Sequence, residues 1–171
     1  MNSIRKKEAI KGVLLEVNGV KKEMEEVSQL LIKINQKGFN IQHASKASYA
    51  IAEAHSKAWK AAQMADAVSK IWNTNENVTQ AKKQINRVYN EIADLEEEIN
   101  KITYEITKNI MVKNYTRSMT IEKEAGIAIT MLTDLFESIP SSSPAAGGKR
   151  KRTHCKCKQT HRKRKQRTHR R

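Results

Sequence analysis

Residues 10–34 read IKGVLLEVNGVKKEMEEVSQLLIKI, and their spacing is the strongest structural signal in the chain. Apolar side chains recur there at alternating steps of three and four. They are Ile10, Val13, Val17, Val20, Met24, Val27, Leu31 and Ile34. This spacing returns each side chain to one face of an α-helix, so it predicts a long helix with a heptad seam. Gly38 follows the last turn and suits a left-handed C-terminal cap.

The same spacing continues in a second segment, where most of the apolar positions are alanine. They are Ala44, Ala47, Ile51, Ala54, Ala58, Ala61, Ala65, Val68 and Trp72. Alanine has the highest helix propensity, and a seam of small residues lets a neighbouring helix approach toward the short end of the ~8–10 Å range. We therefore expect a second long helix whose small face is filled by larger side chains from its neighbours.

A third segment has the same spacing and is rich in β-branched residues. Its positions are Val78, Ala81, Ile85, Val88, Ile92, Leu95, Ile99, Ile102 and Ile106. The Asn- and Thr-rich residues 73–77 before it favour caps and turns, and the heptad frame slips there and at Gly38. Three separate helices joined by short connections, and therefore antiparallel to their neighbours, are expected.

A weaker fourth pattern follows. It comprises Ile121, Ala125, Ala128, Leu132, Leu135 and Ile139. Thr120 is the predicted helix start, residues 112–118 are a predicted kink or loop, and Pro140 ends the pattern. The predicted fold class is all-α: an elongated antiparallel bundle of three long helices plus a shorter fourth, which is folded back or stacked at one end.

The core of this bundle is expected to close within one chain. The alternative is self-association, or packing with a partner helix, through leftover apolar side chains. The candidates for that surface are Leu14, Leu15, Leu30, Met131 and Phe136.

Charge divides the chain into three parts: a helical body at residues 1–139, a Ser/Pro/Gly linker at 140–148 and a polybasic tail at 149–171. The tail contains 13 of the 33 Lys and Arg residues and no Asp or Glu, so the rest of the chain has 20 basic and 18 acidic residues. The composition of the linker predicts flexibility, and that of the tail predicts disorder, because neither can bury apolar surface.

Dense positive charge of this kind seeks a polyanion, so nucleic acid bound through phosphates without sequence preference is the predicted partner. The predicted contact residues are Lys149, Arg150, Lys151, Arg152, Lys156, Lys158, Arg162, Lys163, Arg164, Lys165, Arg167, Arg170 and Arg171. The tail has no Phe, Tyr or Trp on which bases could stack, although Arg and His can still stack weakly. Three alternatives remain open: docking on anionic lipid as a membrane-surface adaptor, a nuclear-localisation signal in 149–152 and 162–165, and a merely solubilising tail.

Potential metal ligands lie close together in the tail at His154, Cys155, Cys157 and His161. Their spacing matches no common zinc pattern, so no metal and no cofactor are predicted. Reversible disulfide formation between chains is the alternative role for the two cysteines.

The body offers little to catalysis. His43 and His55 stand at helical surface spacing, and no Gly-rich phosphate loop or nucleophile elbow occurs, so a non-enzymatic protein is expected. The N-terminal sequence is too polar for a secretory signal, and no apolar run approaches the length of a membrane span. We expect an intracellular protein that is not secreted and has no transmembrane segment, with the nucleus as a predicted location.

Residues 147–154, Gly-Gly-Lys-Arg-Lys-Arg-Thr-His, are followed by more Arg, Lys, Thr and His to the last residue. This tail resembles those of many proteins of nucleocytoplasmic large DNA viruses, which often end in a Gly-Gly-Lys hinge and an Arg/Lys/Thr/His-rich run. The resemblance implies a virion or virus-factory protein whose tail contacts packaged DNA or another polyanion. The Cys-Lys-Cys insertion at 155–157 departs from those tails.

Overall fold

The computed structural model describes residues 3–38, 40–72, 75–101 and 108–140. Within these ranges the chain forms four α-helices and no β-strand. They are α1 at Ser3–Lys37, α2 at Ile41–Ile71, α3 at Glu76–Lys101 and α4 at Lys108–Ser138. The predicted all-α helical bundle is confirmed.

The helices form an antiparallel four-helix bundle with a square cross-section. α1 packs against α2 and α4, and α3 packs against the same two helices. Contacts at two levels show that neighbours are antiparallel. Gly12 and Gly19 on α1 approach Met64 and Lys57 on α2, and Arg87 and Glu98 on α3 meet Glu124 and Lys113 on α4. The longest helix, of 35 residues, spans about 50 Å at ~1.5 Å per residue.

The predicted heptad seams form the core. All eight seam positions of α1 are at most 3% exposed, and the seam of α2 is buried from Ala47 to Val68. The α3 seam is buried from Val78 to Ile99. Ile102 and Ile106, at the end of the predicted third seam, lie outside the described residues.

Capping interactions end and begin the helices where the sequence predicts. Gly38, directly after α1, has a φ of +84°, the left-handed conformation that favours glycine. The side chain of Asn40 accepts a hydrogen bond from the backbone N–H of Gln42 at 2.8 Å, which caps α2. Asn75 accepts one from the N–H of Val78 at 3.2 Å at the start of α3.

The fourth helix differs from the prediction in length and position. α4 begins at Lys108, so the predicted kink at 112–118 and the predicted helix start at Thr120 are wrong, and this helix is longer than α3. α4 lies along the bundle and completes its square cross-section.

Polar residues at core positions explain this error. Asn114 and Ser118 continue the buried stripe of α4 and interrupt its apolar pattern. The hydroxyl of Ser118 lies 2.8 Å from that of Ser28 on α1 and donates to the carbonyl of Tyr115, so it is satisfied inside the core.

The expected leftover apolar surface is also different. Leu30 is buried, and Leu14, Met131 and Phe136 pack against the core. Of the predicted set only Leu15 is well exposed, at 72%.

Substitution of Ile92 by Asn is expected to destabilise the bundle. Ile92 is fully buried, so the change removes packing and buries an amide without a partner. The expected loss is about 3–5 kcal/mol in the free energy of unfolding, measured by chemical denaturation. The exposed neighbour Asn90→Ala is the control, and equal stability of Ile92→Asn and its parent would contradict the heptad assignment.

Substitution of Asn114 by Leu is expected to stabilise the protein. Asn114 is fully buried, and neither its Oδ1 nor its Nδ2 forms a hydrogen bond with any described residue. Leucine has the same branching without the desolvated amide, so the free energy of unfolding should rise by about 1–3 kcal/mol. Ser118→Ala, which removes the partner of Ser28, should lower it instead; a destabilised Asn114→Leu protein would show that the amide is satisfied.

Candidate nucleic-acid interface

The thirteen predicted contact residues, from Lys149 to Arg171, all lie outside the described residues, as do His154, Cys155, Cys157 and His161. The structure describes the point from which this part of the chain continues. α4 ends at Ser138, and Ile139 is buried against the bundle before the exposed Pro140.

A cleft of about 300 Å³ surrounds this exit point. It is lined by Ser3, Lys6, Trp72, Asn75, Val78, Leu135, Ser138, Ile139 and Pro140. Residues near the starts of α1 and α3 and near the ends of α2 and α4 therefore meet at this end of the bundle. We call it the exit end.

Two lysines of α1 lie over aromatic rings at the exit end. The ammonium group of Lys6 lies 4.7 Å from the ring centroid of Trp72, and that of Lys7 lies 5.1 Å from the ring centroid of Phe136. Such contacts hold a cation at the surface over the face of a ring.

The start of α1 adds further positive charge there. Between Ser3 and Lys11 the chain has four cations and one carboxylate, Glu8. Arg5 and Lys11 are exposed and form no ion pair with any described residue. The exit end thus presents cations near Pro140, the last described residue.

The C-terminal half of α3, which lies away from the exit end, is acidic, because residues 91–98 contain five carboxylates. Arg117 binds three of them, with its guanidinium 3.1 Å from Glu91, 3.0 Å from Asp94 and 3.0 Å from Glu98. Partial burial opposes the charge of Arg117, but its hydrogen bonds and the nearby carboxylates outweigh that effect and raise its pKa. This cluster therefore connects α3 to α4 and is partly neutralised.

The two histidines of the helical body, His43 and His55, lie at or near helix interfaces. His55 Nδ1 lies 2.5 Å from Glu96 across the α2–α3 interface, and its ring is tilted against Tyr89 at 5.1 Å. His43 Nδ1 is buried and has no hydrogen-bond partner among the described residues. Glu96 and Glu98 are half-buried and bridge helices, Glu96 to His55 on α2 and Glu98 to Lys113 on α4.

The described residues hold no group of three or more His, Cys, Asp or Glu placed to bind a metal ion. No helix in the described ranges combines the length and the apolar composition that a membrane crossing requires.

Comparisons with family models, with curated proteins and with solved structures find no match to this chain. The fold and the sequence define an antiparallel four-helix bundle followed by a basic C-terminal segment.

Sequence reasoning missed the contacts that organise the two ends of the bundle. The Lys6–Trp72 contact and the binding of three carboxylates by Arg117 join residues that are 66 and at least 19 positions apart. Heptad spacing identifies the face of a residue on its own helix, but not which side chain lies opposite it. The cluster of cations at 5–11 was visible in the sequence, and only its position beside Pro140 was not.

Acid is expected to weaken the α2–α3 interface through Asp66. Hydrogen bonds from Lys70 and Lys82 lower the pKa of this carboxyl from 3.8 to about 2. A carboxyl group whose pKa is lower in the folded state stabilises the fold at pH values above its unfolded-state pKa. This stabilisation is lost as the pH falls from about 4 to about 2. Asp66→Asn should lower the melting temperature at pH 6 and remove this component of the acid dependence.

The matched control is Asp134→Asn, because Asp134 is exposed and forms no ion pair with any described residue. Melting curves between pH 6 and pH 2 make the comparison. The same pH dependence in Asp66→Asn and its parent would show that the two lysines do not hold this carboxylate.

Proposed function

We propose that this chain is a non-enzymatic structural protein that binds nucleic acid through its basic tail, while the helical bundle provides a rigid body for packing or protein contacts. One observation carries the proposal: residues 149–171 contain 13 Lys and Arg and no carboxylate. The remaining chain is almost neutral, so the charge is concentrated in one segment rather than spread over the surface.

The mechanism is electrostatic. Each phosphate neutralised by a Lys or Arg releases condensed counterions, and this release drives binding that is blind to base sequence. The tail contains no Phe, Tyr or Trp, so its contacts would be mainly to phosphates rather than to stacked bases.

The bundle supports this proposal at its exit end. The cations at residues 5–11 lie at the end of the body from which the chain continues toward the tail. A polyanion held by the tail would meet these cations and not the acidic half of α3 at the opposite end. The resemblance of the tail to those of large DNA virus proteins makes double-stranded DNA our proposed polyanion.

Binding to random-sequence duplex DNA is expected to depend steeply on salt. If the tail neutralises ~6–10 phosphates, affinity should fall by ~10³–10⁵-fold between 50 and 200 mM salt. A chain that ends at Gly148 should lose most of this binding in a fluorescence-anisotropy titration. A flat salt response, or equal binding by the truncated chain, would contradict the proposal.

Two variants of the full chain refine the measurement. Replacing the four cations at 162–165 by glutamine should reduce the slope of log affinity against log salt by up to about 3–4. Cys155→Ser with Cys157→Ser leaves all 13 charges in place and should bind like the parent. A loss of binding in the double serine variant would instead indicate a role for metal or disulfide chemistry.

The same assay separates the alternatives. Vesicles containing anionic lipid are added as competitors at physiological salt. If the vesicles displace the DNA, a membrane-surface adaptor is the better description. A reporter fused to residues 149–171 that enters the nucleus, together with weak DNA binding by the full chain, would favour a localisation signal.

A further inference from the structure

The outward face of α2 carries no charge along about five turns. Its positions follow alternating steps of four and three, and all of them are exposed. They are Ser45, Tyr49, Ala52, Ser56, Trp59 and Gln63. The outward faces of α1 and α3, by contrast, are interrupted by exposed cations such as Lys22 and Lys83.

Large apolar groups stand out from this face of small residues. Tyr49 is 77% exposed, Ile41 is 67% exposed and Trp59 is 49% exposed. These side chains are exposed to solvent, although exposing apolar surface of this size is unfavourable in free energy. A helix face that combines prominent aromatic side chains with alanine and serine offers both ridges and depressions to a partner.

Tyr49 stands between two grooves. One, of about 380 Å³, is largely apolar and is lined in part by Ile41, Ala44 and Ala52. The other, of about 530 Å³, borders α1 and contains Lys46 and Glu53.

We propose that this face binds the same face of a second copy of the chain, with the two α2 helices antiparallel about a two-fold axis near residue 50. In this arrangement Ile41 faces Trp59 of the second copy, and Tyr49 faces Ala52 of the second copy. Both contacts occur twice, because a two-fold interface is self-complementary. Every large exposed apolar side chain on this face of α2 is then covered.

Charge complementarity supports the same register. Lys46 lies beside the uncharged face, and in this arrangement it faces Glu53 of the second copy. Lys46 forms no ion pair with any described residue of its own chain, and Glu53 is 48% exposed and 3.5 Å from Lys57. For the apolar pairs and for the charged pair alike, the residue numbers of the facing positions add up to about 100. One register therefore satisfies all of them.

The antiparallel arrangement separates the two exit ends. Each α2 runs about 22 residues from the axis to Trp72, so the exit ends stand about 65 Å apart at ~1.5 Å per residue. This consequence rests on the proposed function: two basic tails at opposite ends of a rigid dimer would join two DNA duplexes rather than grip one.

The mass of the nuclease-treated full chain, measured by sedimentation equilibrium at micromolar concentration, tests the dimer. We expect twice the chain mass for the parent. Trp59→Glu should raise the dissociation constant more than 100-fold, because it places a carboxylate in an apolar contact that occurs twice. Leu15→Glu, on the exposed face of α1, is the control and should leave the mass unchanged.

A charge exchange tests the register. Lys46→Glu or Glu53→Lys alone should raise the dissociation constant about tenfold, because each makes two symmetry-related pairs repulsive. The double variant should return to within about threefold of the parent. Melting curves of each variant establish that the bundle itself is intact.

A parent chain of single-chain mass overturns the inference, as does a dimer that Leu15→Glu disrupts and Trp59→Glu does not. A double variant no better than the single ones overturns the register. These results are independent of DNA: salt-dependent binding by a monomeric chain would leave the proposed function standing, and a dimer that binds no DNA would remove that function alone.

Discussion

The shortage of side-chain volume on α2 is the constraint on which the rest of the bundle depends. Most of its buried positions are alanine, so this helix brings backbone close to its neighbours but fills little space. The large buried side chains come from the other helices, among them Met24 and Leu31 on α1 and Ile92 and Leu95 on α3. Close packing at native density therefore requires helices with large side chains on both sides of α2.

The same constraint makes the approach of α1 to α2 tight. A Cβ added at Gly12 would lie 2.5 Å from the terminal carbon of Met64, and one added at Gly19 would lie 2.8 Å from the stem of Lys57. The missing side chain at Gly19 leaves room for Lys57 to cross the interface and reach Glu23 at 2.6 Å. The missing side chain on α1 thus permits a half-buried ion pair between α1 and α2.

The polar interactions select one arrangement among those that an apolar core allows. The Ser28–Ser118 hydrogen bond and the binding of three carboxylates by Arg117 fix how far α4 slides along α1 and α3. Exposed ion pairs contribute little individually, and a buried polar pair in the wrong register would lose its partner. These contacts therefore set the register of the helices more than they add to total stability. None of them involves the cations near Arg5 at the exit end.

The sequence by itself determined the helices and their inner faces, since a repeat of three and four has only one structural reading and Gly38, Asn40 and Asn75 encode the breaks. It also determined the concentration of charge in residues 149–171, because composition needs no fold to be read. Tertiary structure decided the course of α4, whose core positions Asn114 and Ser118 are polar. Ser118 is explained by Ser28 on α1, with which it shares a hydrogen bond, whereas Asn114 has no hydrogen-bond partner among the described residues. Tertiary structure also decided which apolar side chains stay exposed. Leu30 and Tyr49 both lie outside the heptad seams, and only the positions of neighbouring helices bury Leu30 and leave Tyr49 in solvent. Periodicity is a property of one helix, whereas partnership depends on the distances between helices, and those distances arise from packing of the whole chain.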